Sequence, residues 1–249
     1  GFDNAHKAAA RLAETQFFIS VDGDNVIDES FLLQTLDWDK TDYKAVHRWR
    51  AKNNINGLVY GNGGLVGWDK DTCLNMHTHE NAKDERAKID FCWTVKHENL
   101  HNCYSTTVIN TSARQAFVAG YREGVKMSLD RGHRVSPGEF TKRIDKNNLR
   151  NLLVWMSVGA DVKHGLWAIH GACYGSYMTT LAGETWNYKV TKDFASLDTL
   201  WNAVHESIRY DIEERIVDLH KDLNYHLGLS ASLLGPEQSK FFKWCNHEQ

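Results

Sequence analysis

The feature that most constrains this chain is an abrupt change of character after residue 21. Phe17-Phe18-Ile19-Ser20-Val21 is a short run of aromatic and β-branched residues, and Asp22-Gly23-Asp24-Asn25 follows it directly. Such a run, bounded by turn-forming residues, predicts a buried strand that stops at Asp22 and opens into a polar loop. Ahead of it, Asn4 is a candidate N-cap, and Ala5, Ala8, Ala9, Leu12 and Ala13 share one helical face, so a helix is expected over 4–15. Further strands are expected at Ala45–Trp49, Leu58–Tyr60, Leu65–Trp68 and Thr107–Asn110, with Gly61-Asn62-Gly63-Gly64 as a tight turn between two of them.

The rest of the chain carries helical periodicity. Ser112 is placed to cap a helix in which Phe117, Tyr121 and Val125 recur every four residues, and Leu149, Leu152, Leu153 and Met156 form a second stripe. Leu200, Val204, Ile208, Ile212, Ile216, Leu219 and Leu223 form a third, read as one long helix. Strands interleaved with helices point to an α/β fold, with one domain over 1–185 and a helical extension over 186–249.

Composition narrows the classes. The 249 residues carry 29 basic and 32 acidic side chains, a formal net charge of −3, which does not favour a nucleic-acid coat protein but leaves room for a local basic groove. The apolar runs are too short for a membrane span or a signal-peptide core, so a soluble, cytoplasmic chain is expected. Five scattered cysteines, Cys73, Cys92, Cys103, Cys173 and Cys245, argue against a disulfide framework.

Asp22 and Asp24 are the sharpest chemical signal. Hard carboxylate oxygens two residues apart, after a strand, suit Mg²⁺ or Mn²⁺ bound together with substrate phosphates, and Gly23 would let the backbone approach closely. The alternative is a turn in which these residues only shape the chain. An EF-hand is excluded, because Ile27 stands where its obligatory glycine belongs.

A small-residue helix opening with Asn4, then Phe17–Val21, then Asp22-Gly23-Asp24, resembles the central segment of GT-A-fold glycosyltransferases, and more narrowly phage-encoded TET-associated enzymes that glycosylate 5-hydroxymethylcytosine in DNA. The resemblance covers about residues 4–175. It implies a Rossmann-type mixed sheet, a divalent ion on Asp22 and Asp24 bridging the diphosphate of a UDP-sugar, and a DNA acceptor in the cytoplasm of a host cell. It also implies that Gly61-Asn62-Gly63-Gly64-Leu65 lines the acceptor side of the cleft. Independently of it, Gly171 and Gly175 would permit close backbone approach to a ligand, or tight helix packing. A first βαβ unit that grips the nucleotide base in such enzymes would precede residue 4.

The same resemblance implies an acidic base after the glycine segment, with Asp90 the first choice and Asp161 the reserve, each alternatively a capping or surface residue. It also implies a later histidine ligand, for which His164 and His170 are candidates and His170 preferred, with a packed core histidine the alternative. Cys73, His77 and His79 mirror His97, His101 and Cys103 and raise a structural Zn²⁺ site, although the spacing matches no familiar finger. Arg48, Trp49, Arg50 and Lys52 place cations around an aromatic, which suits a phosphate backbone and a stacked base; Arg131, His133, Arg134, Lys142, Arg143, Lys146 and Arg150 are candidates to extend that surface, with a solvated face the alternative. Three other readings stand beside a DNA glycosyltransferase. One is transfer to a glycan or small molecule; the second is a haloacid-dehalogenase-like phosphatase with Asp22 as nucleophile; the third is a non-catalytic nucleic-acid-binding module.

Overall fold

The computed structural model describes residues 1–37, 41–183, 186–208 and 211–246, and only the backbone of Asn62, Gly63, Lys189 and Val190. The chain divides into two compact units, one of residues 1–54 and 59–108, the other of residues 55–58 and 109–249. The expected boundary at 185/186 falls next to Glu184-Thr185, outside the described residues.

The first unit is a mixed sheet with helices. Helix α1 (Phe2–Leu12) precedes β1 (Phe17–Val21), β2 (Asn25–Ile27), β3 (Val46–Asn53), β4 (Val59–Asp69), helix α2 (Lys70–Asn75) and β5 (His97–Thr107). The strand order is β1-β4-β3-β5-β2. β3 and β5 run parallel, and the β1–β4, β3–β4 and β2–β5 pairs are antiparallel. Ala10, Val46, Val66, Trp68, Cys73 and Met76 form a buried cluster, with Phe18 and Phe91 against it.

Several local expectations are corrected. The first helix runs from Phe2 to Leu12, not 4–15, and Asn4 lies inside it. Its cap comes from elsewhere in the chain: Glu80 Oε2 accepts from the Asp3 N–H at 3.2 Å and Oε1 from the Asn4 N–H at 3.0 Å. Burial pushes the Glu80 carboxyl up, but these backbone bonds and the N-terminal charge outweigh it and hold the group down at about 2. The expected turn at Gly61–Gly64 is part of one continuous strand, Val59–Asp69. Its signal was nevertheless physical, because between the Arg48↔Val66 and Arg50↔Gly61 pairs four residues of β4 oppose only Trp49 of β3. The glycines thus accommodate a wide bulge. The strand expected at Thr107–Asn110 ends at Thr107 and begins ten residues earlier, at His97.

The bulge accompanies a strong curl. Strands β1 and β2 stand at opposite edges of the sheet, which in a flat five-stranded sheet would be roughly 19 Å apart. Yet they are consecutive, joined by a turn in which the Asn25 N–H donates to the Asp22 carbonyl at 3.0 Å. The ends of such a turn lie within about 7 Å, so the sheet must curl until its two edges approach each other. Neither Gly23 nor Asp24 has a positive φ, so this is not the turn that closes a hairpin. β1 and β2 diverge from it, one to β4 and the other to β5.

The second unit is helical: α3 (Ala113–Met127), the single turn α4 (Phe140–Arg143), α5 (Lys146–Ser157), α6 (Gly165–Thr180), α7 (Phe194–Ile208), α8 (Ile212–Leu227) and α9 (Pro236–Cys245). Ser112 caps α3 as expected, accepting from the Gln115 N–H at 3.1 Å. The long stripe expected over 200–223 is two helices, because the i, i+4 spacing from Ile208 to Ile212 runs across the break. The acidic start at Asp211, Glu213 and Glu214 marks the second of them. Helices α3 and α6 meet through paired glycines. A Cβ on Gly120 would lie 2.0 Å from the Ala168 carbonyl oxygen, and one on Gly171 2.2 Å from that of Phe117. No helix among the described residues is long and apolar enough to cross a membrane.

Candidate functional site

The turn at Asp22–Asn25 sits where the curled sheet draws its edges together. Asp22 is exposed and its N–H donates to the Gly64 carbonyl at 2.9 Å, while the Asp24 carbonyl accepts from the Val108 N–H at 2.7 Å. Both ends of the turn are therefore pinned to the sheet by backbone hydrogen bonds. A Cβ on Gly23 would meet nothing within 4 Å, so the fold itself leaves the space beside the two carboxylates open.

Asn25, which the sequence reading passed over, is the residue that organises this turn. Its Nδ2 donates to Asp24 Oδ1 at 3.1 Å, and its Oδ1 accepts from the Ser105 and Thr107 hydroxyls at 3.2 and 3.1 Å. The same side chain lies on Gly64, where a Cβ would come within 2.1 Å of Nδ2. Gly64 is thus required for Asn25 to reach across to β5. The available signal was the asparagine directly after the acidic pair, matched by the hydroxyl residues Ser105-Thr106-Thr107. Asn25→Ala is expected to cost about 1–3 kcal/mol by removing the acceptor of the Ser105 and Thr107 hydroxyls. Denaturant unfolding checks this, and a cost below about 0.5 kcal/mol would contradict it.

On β3, burial alternates. Arg48, Arg50 and Lys52 are half-buried on one face, and Trp49 points to the other, 4% exposed, with its ring 5.0 Å from Phe31. Trp49 is therefore corrected from a base-stacking residue to a core residue, because strand alternation separates it from its cationic neighbours. Arg48 donates to Asn99 Oδ1 at 2.7 Å and to the Cys92 sulfur, and Arg50 approaches His101 Nδ1 at 3.4 Å. The row of cations survives; the aromatic does not belong to it. In the helical unit, Arg134 is tied to the carbonyls of Gly183 and Trp186, and Arg143 to Asp130 at 2.7 Å.

The two candidate bases have structural roles. Asp90 caps a short 3₁₀ turn at Phe91–Trp93, accepting from the Cys92 N–H at 3.0 Å. Asp161, with its side chain only 6% exposed, is ion-paired with Lys243 at 2.6 Å in the helical unit. The cysteine and histidine clusters are dispersed in function. Cys73 is buried, which pushes its thiol up to about 11; His79 stacks on Phe2; and His97 bonds the Val95 carbonyl. Among the described residues no three His, Cys, Asp or Glu side chains gather as a metal-binding group. Asp22 and Asp24 are only two, which fits a cation whose remaining ligands are phosphate oxygens and water.

His170 lies on α6, 3% exposed, with its ring stacked against Phe117 and Tyr174 at 5.8 and 5.9 Å. Gly171 beside it is occupied by the α3–α6 contact, so of its two readings helix packing holds and ligand lining does not. Burial first, and the nearby Arg215 charge second, push the His170 imidazole down to about 4 from 6.5. The fold thus favours the neutral ring, and the stability this gives is complete above pH about 6.5 and is lost as pH falls towards 4. Acidification from pH 7 to 5 is expected to lower the denaturation midpoint, and His170→Phe to flatten that decline. His220, also shifted down by burial, keeps a residual slope. An unchanged slope in His170→Phe would contradict the assignment.

Comparison of the chain with protein-family models, with curated proteins and with solved structures gives no match.

Proposed function

We propose that the chain is a metal-dependent glycosyltransferase of GT-A type, acting in the cytoplasm, of a host cell where the chain is viral. It moves a sugar from a UDP-sugar to a hydroxyl acceptor, with 5-hydroxymethylcytosine in DNA the favoured acceptor. The observation that carries this reading is the Asp22–Asn25 turn: two carboxylates pinned at the closing edge of a curled sheet, with Asn25 fixing one of them and open space beside Gly23. Asp22 and Asp24 would hold Mn²⁺ or Mg²⁺, whose charge stabilises the departing diphosphate. The remaining work belongs to the chain's own residues. Asn25 restrains Asp24, and the Arg48, Arg50 and Lys52 face of β3 supplies positive charge for a phosphate backbone, with no aromatic partner from Trp49.

A phosphatase with Asp22 as nucleophile is less well supported. Such an enzyme needs a second acidic pair after a later strand, and the later candidate, Asp161, is a single acid, ion-paired with Lys243 in the helical unit. The test is transfer of labelled glucose from UDP-glucose to duplex DNA containing 5-hydroxymethylcytosine. Manganese-dependent labelling of that DNA, and none of unmodified DNA, is the expected result. Release of phosphate from a phosphomonoester without sugar transfer would favour the phosphatase instead.

A further inference from the structure

The helical unit contains a cavity of about 420 Å³ between α6, α7 and α8 that plays no part in the proposed transfer. That volume is in the range of small-molecule pockets. Aromatic rings of His170, Tyr174 and Tyr177 form the α6 wall, and Leu200, Val204 and Leu219 supply aliphatic surface opposite. Within this wall His170 is almost fully buried and its Nδ1 has no hydrogen-bond partner.

The polar rim comes from α8. Arg215, Asp218 and Asp222 line the cavity and fall on one helical face. Asp218 is engaged by Lys221 at 2.9 Å, and among the described residues Arg215 is paired with no carboxylate. Arg215 and Asp222 stand two turns apart, about 10 Å along the helix, so an anionic group at the Arg215 end is kept away from the Asp222 charge. An apolar body ending in an acid matches this distribution: aromatic and aliphatic walls, and at the mouth one guanidinium beside an Asp218 already held by Lys221.

We propose that this cavity binds a small planar aromatic molecule bearing a single carboxylate or phosphate, with its ring among His170, Tyr174 and Tyr177 and its acid on Arg215. The arginine selects for the anion, because a guanidinium pairs with carboxylate and phosphate through parallel N–H bonds. His170 presents a neutral ring at pH 7 and so can meet either a donor or an acceptor on the ligand.

The test uses the full chain and two anionic probes, indole-3-acetate and phenyl phosphate, with tryptamine as the cationic counterpart, all titrated calorimetrically in EDTA so that the acidic turn takes no part. Saturable binding of at least one anionic probe is expected, with tryptamine at least tenfold weaker. Arg215→Gln, at the exposed rim, should weaken the anion at least tenfold without moving the melting temperature, and Val204→Trp should abolish binding by filling the cavity. If Val204→Trp fails to fold, Arg215→Gln still decides. No binding of either anion, equal or tighter binding of tryptamine, or anion binding unchanged in Arg215→Gln would overturn the proposal.

Discussion

Gly171→Leu is expected to abolish the native packing of the helical unit, and Gly171→Ala to destabilise it by about 1–3 kcal/mol. The sign is informative, because alanine in place of a helical glycine with free space around it stabilises by up to about 1 kcal/mol. At Gly171 the clash wins: a Cβ there would lie 2.2 Å from the Phe117 carbonyl oxygen and 2.9 Å from the Tyr121 nitrogen. Both are backbone atoms of α3, so no rotamer change relieves the contact, and the helices must separate. Gly120, Gly124 and Gly175 make the reciprocal contacts, with Cβ positions 2.0, 2.3 and 2.3 Å from carbonyl oxygens of the facing helix. The effect should therefore be shared along the seam. Denaturant unfolding measures it, and a stabilised Gly171→Ala would contradict the close α3–α6 approach as the reason for the glycine.

Asp22→Ala and Asp24→Ala are each expected to lower sugar transfer by at least ~10²-fold, the usual scale for removing one fixed electrostatic contact to a developing charge. The fold should survive both changes. Asp22 is exposed, and the turn is held by main-chain bonds to Gly64 and Val108 that alanine retains. Asp24→Ala also removes the acceptor of Asn25 Nδ2, at a cost of about 0.5–1.5 kcal/mol. Initial-rate assays with UDP-glucose and hydroxymethylated DNA, alongside melting curves, separate the two effects. Full turnover in either variant would remove both carboxylates from the mechanism.

The parts of the fold that were legible in the sequence are those where local chemistry and tertiary context agree. Strand β1 ends where the run Phe17–Val21 meets Asp22, and Ser112 caps α3, because short-range signals suffice at both places; the expected burial of β1 is corrected, since it is an edge strand with Ile19 and Val21 exposed. What was missed depends on distant residues. Glu80 caps α1 from 76 positions away, so Asn4 looked like the start of a helix that begins at Phe2. Helix α6 is apolar nearly all round and interrupted by glycines, so it offers no amphipathic stripe, and its need for glycine is visible only once α3 lies against it. At the site, the acidic pair was plain from residue type and spacing. Asn25 was not, since its importance comes from Gly64, Ser105 and Thr107 on two other strands. Trp49 was misread because cations at every second position of β3 face away from the residue between them.

The most direct measurement is calorimetric titration of UDP into the full chain with Mn²⁺ present and again in EDTA, repeated with Asp24→Ala. Binding that needs Mn²⁺ and disappears in the variant, while its melting temperature stays near that of the parent chain, is the expected result. UDP binding of equal strength in EDTA, or retained by Asp24→Ala, would contradict a metal–diphosphate site at the Asp22–Asn25 turn.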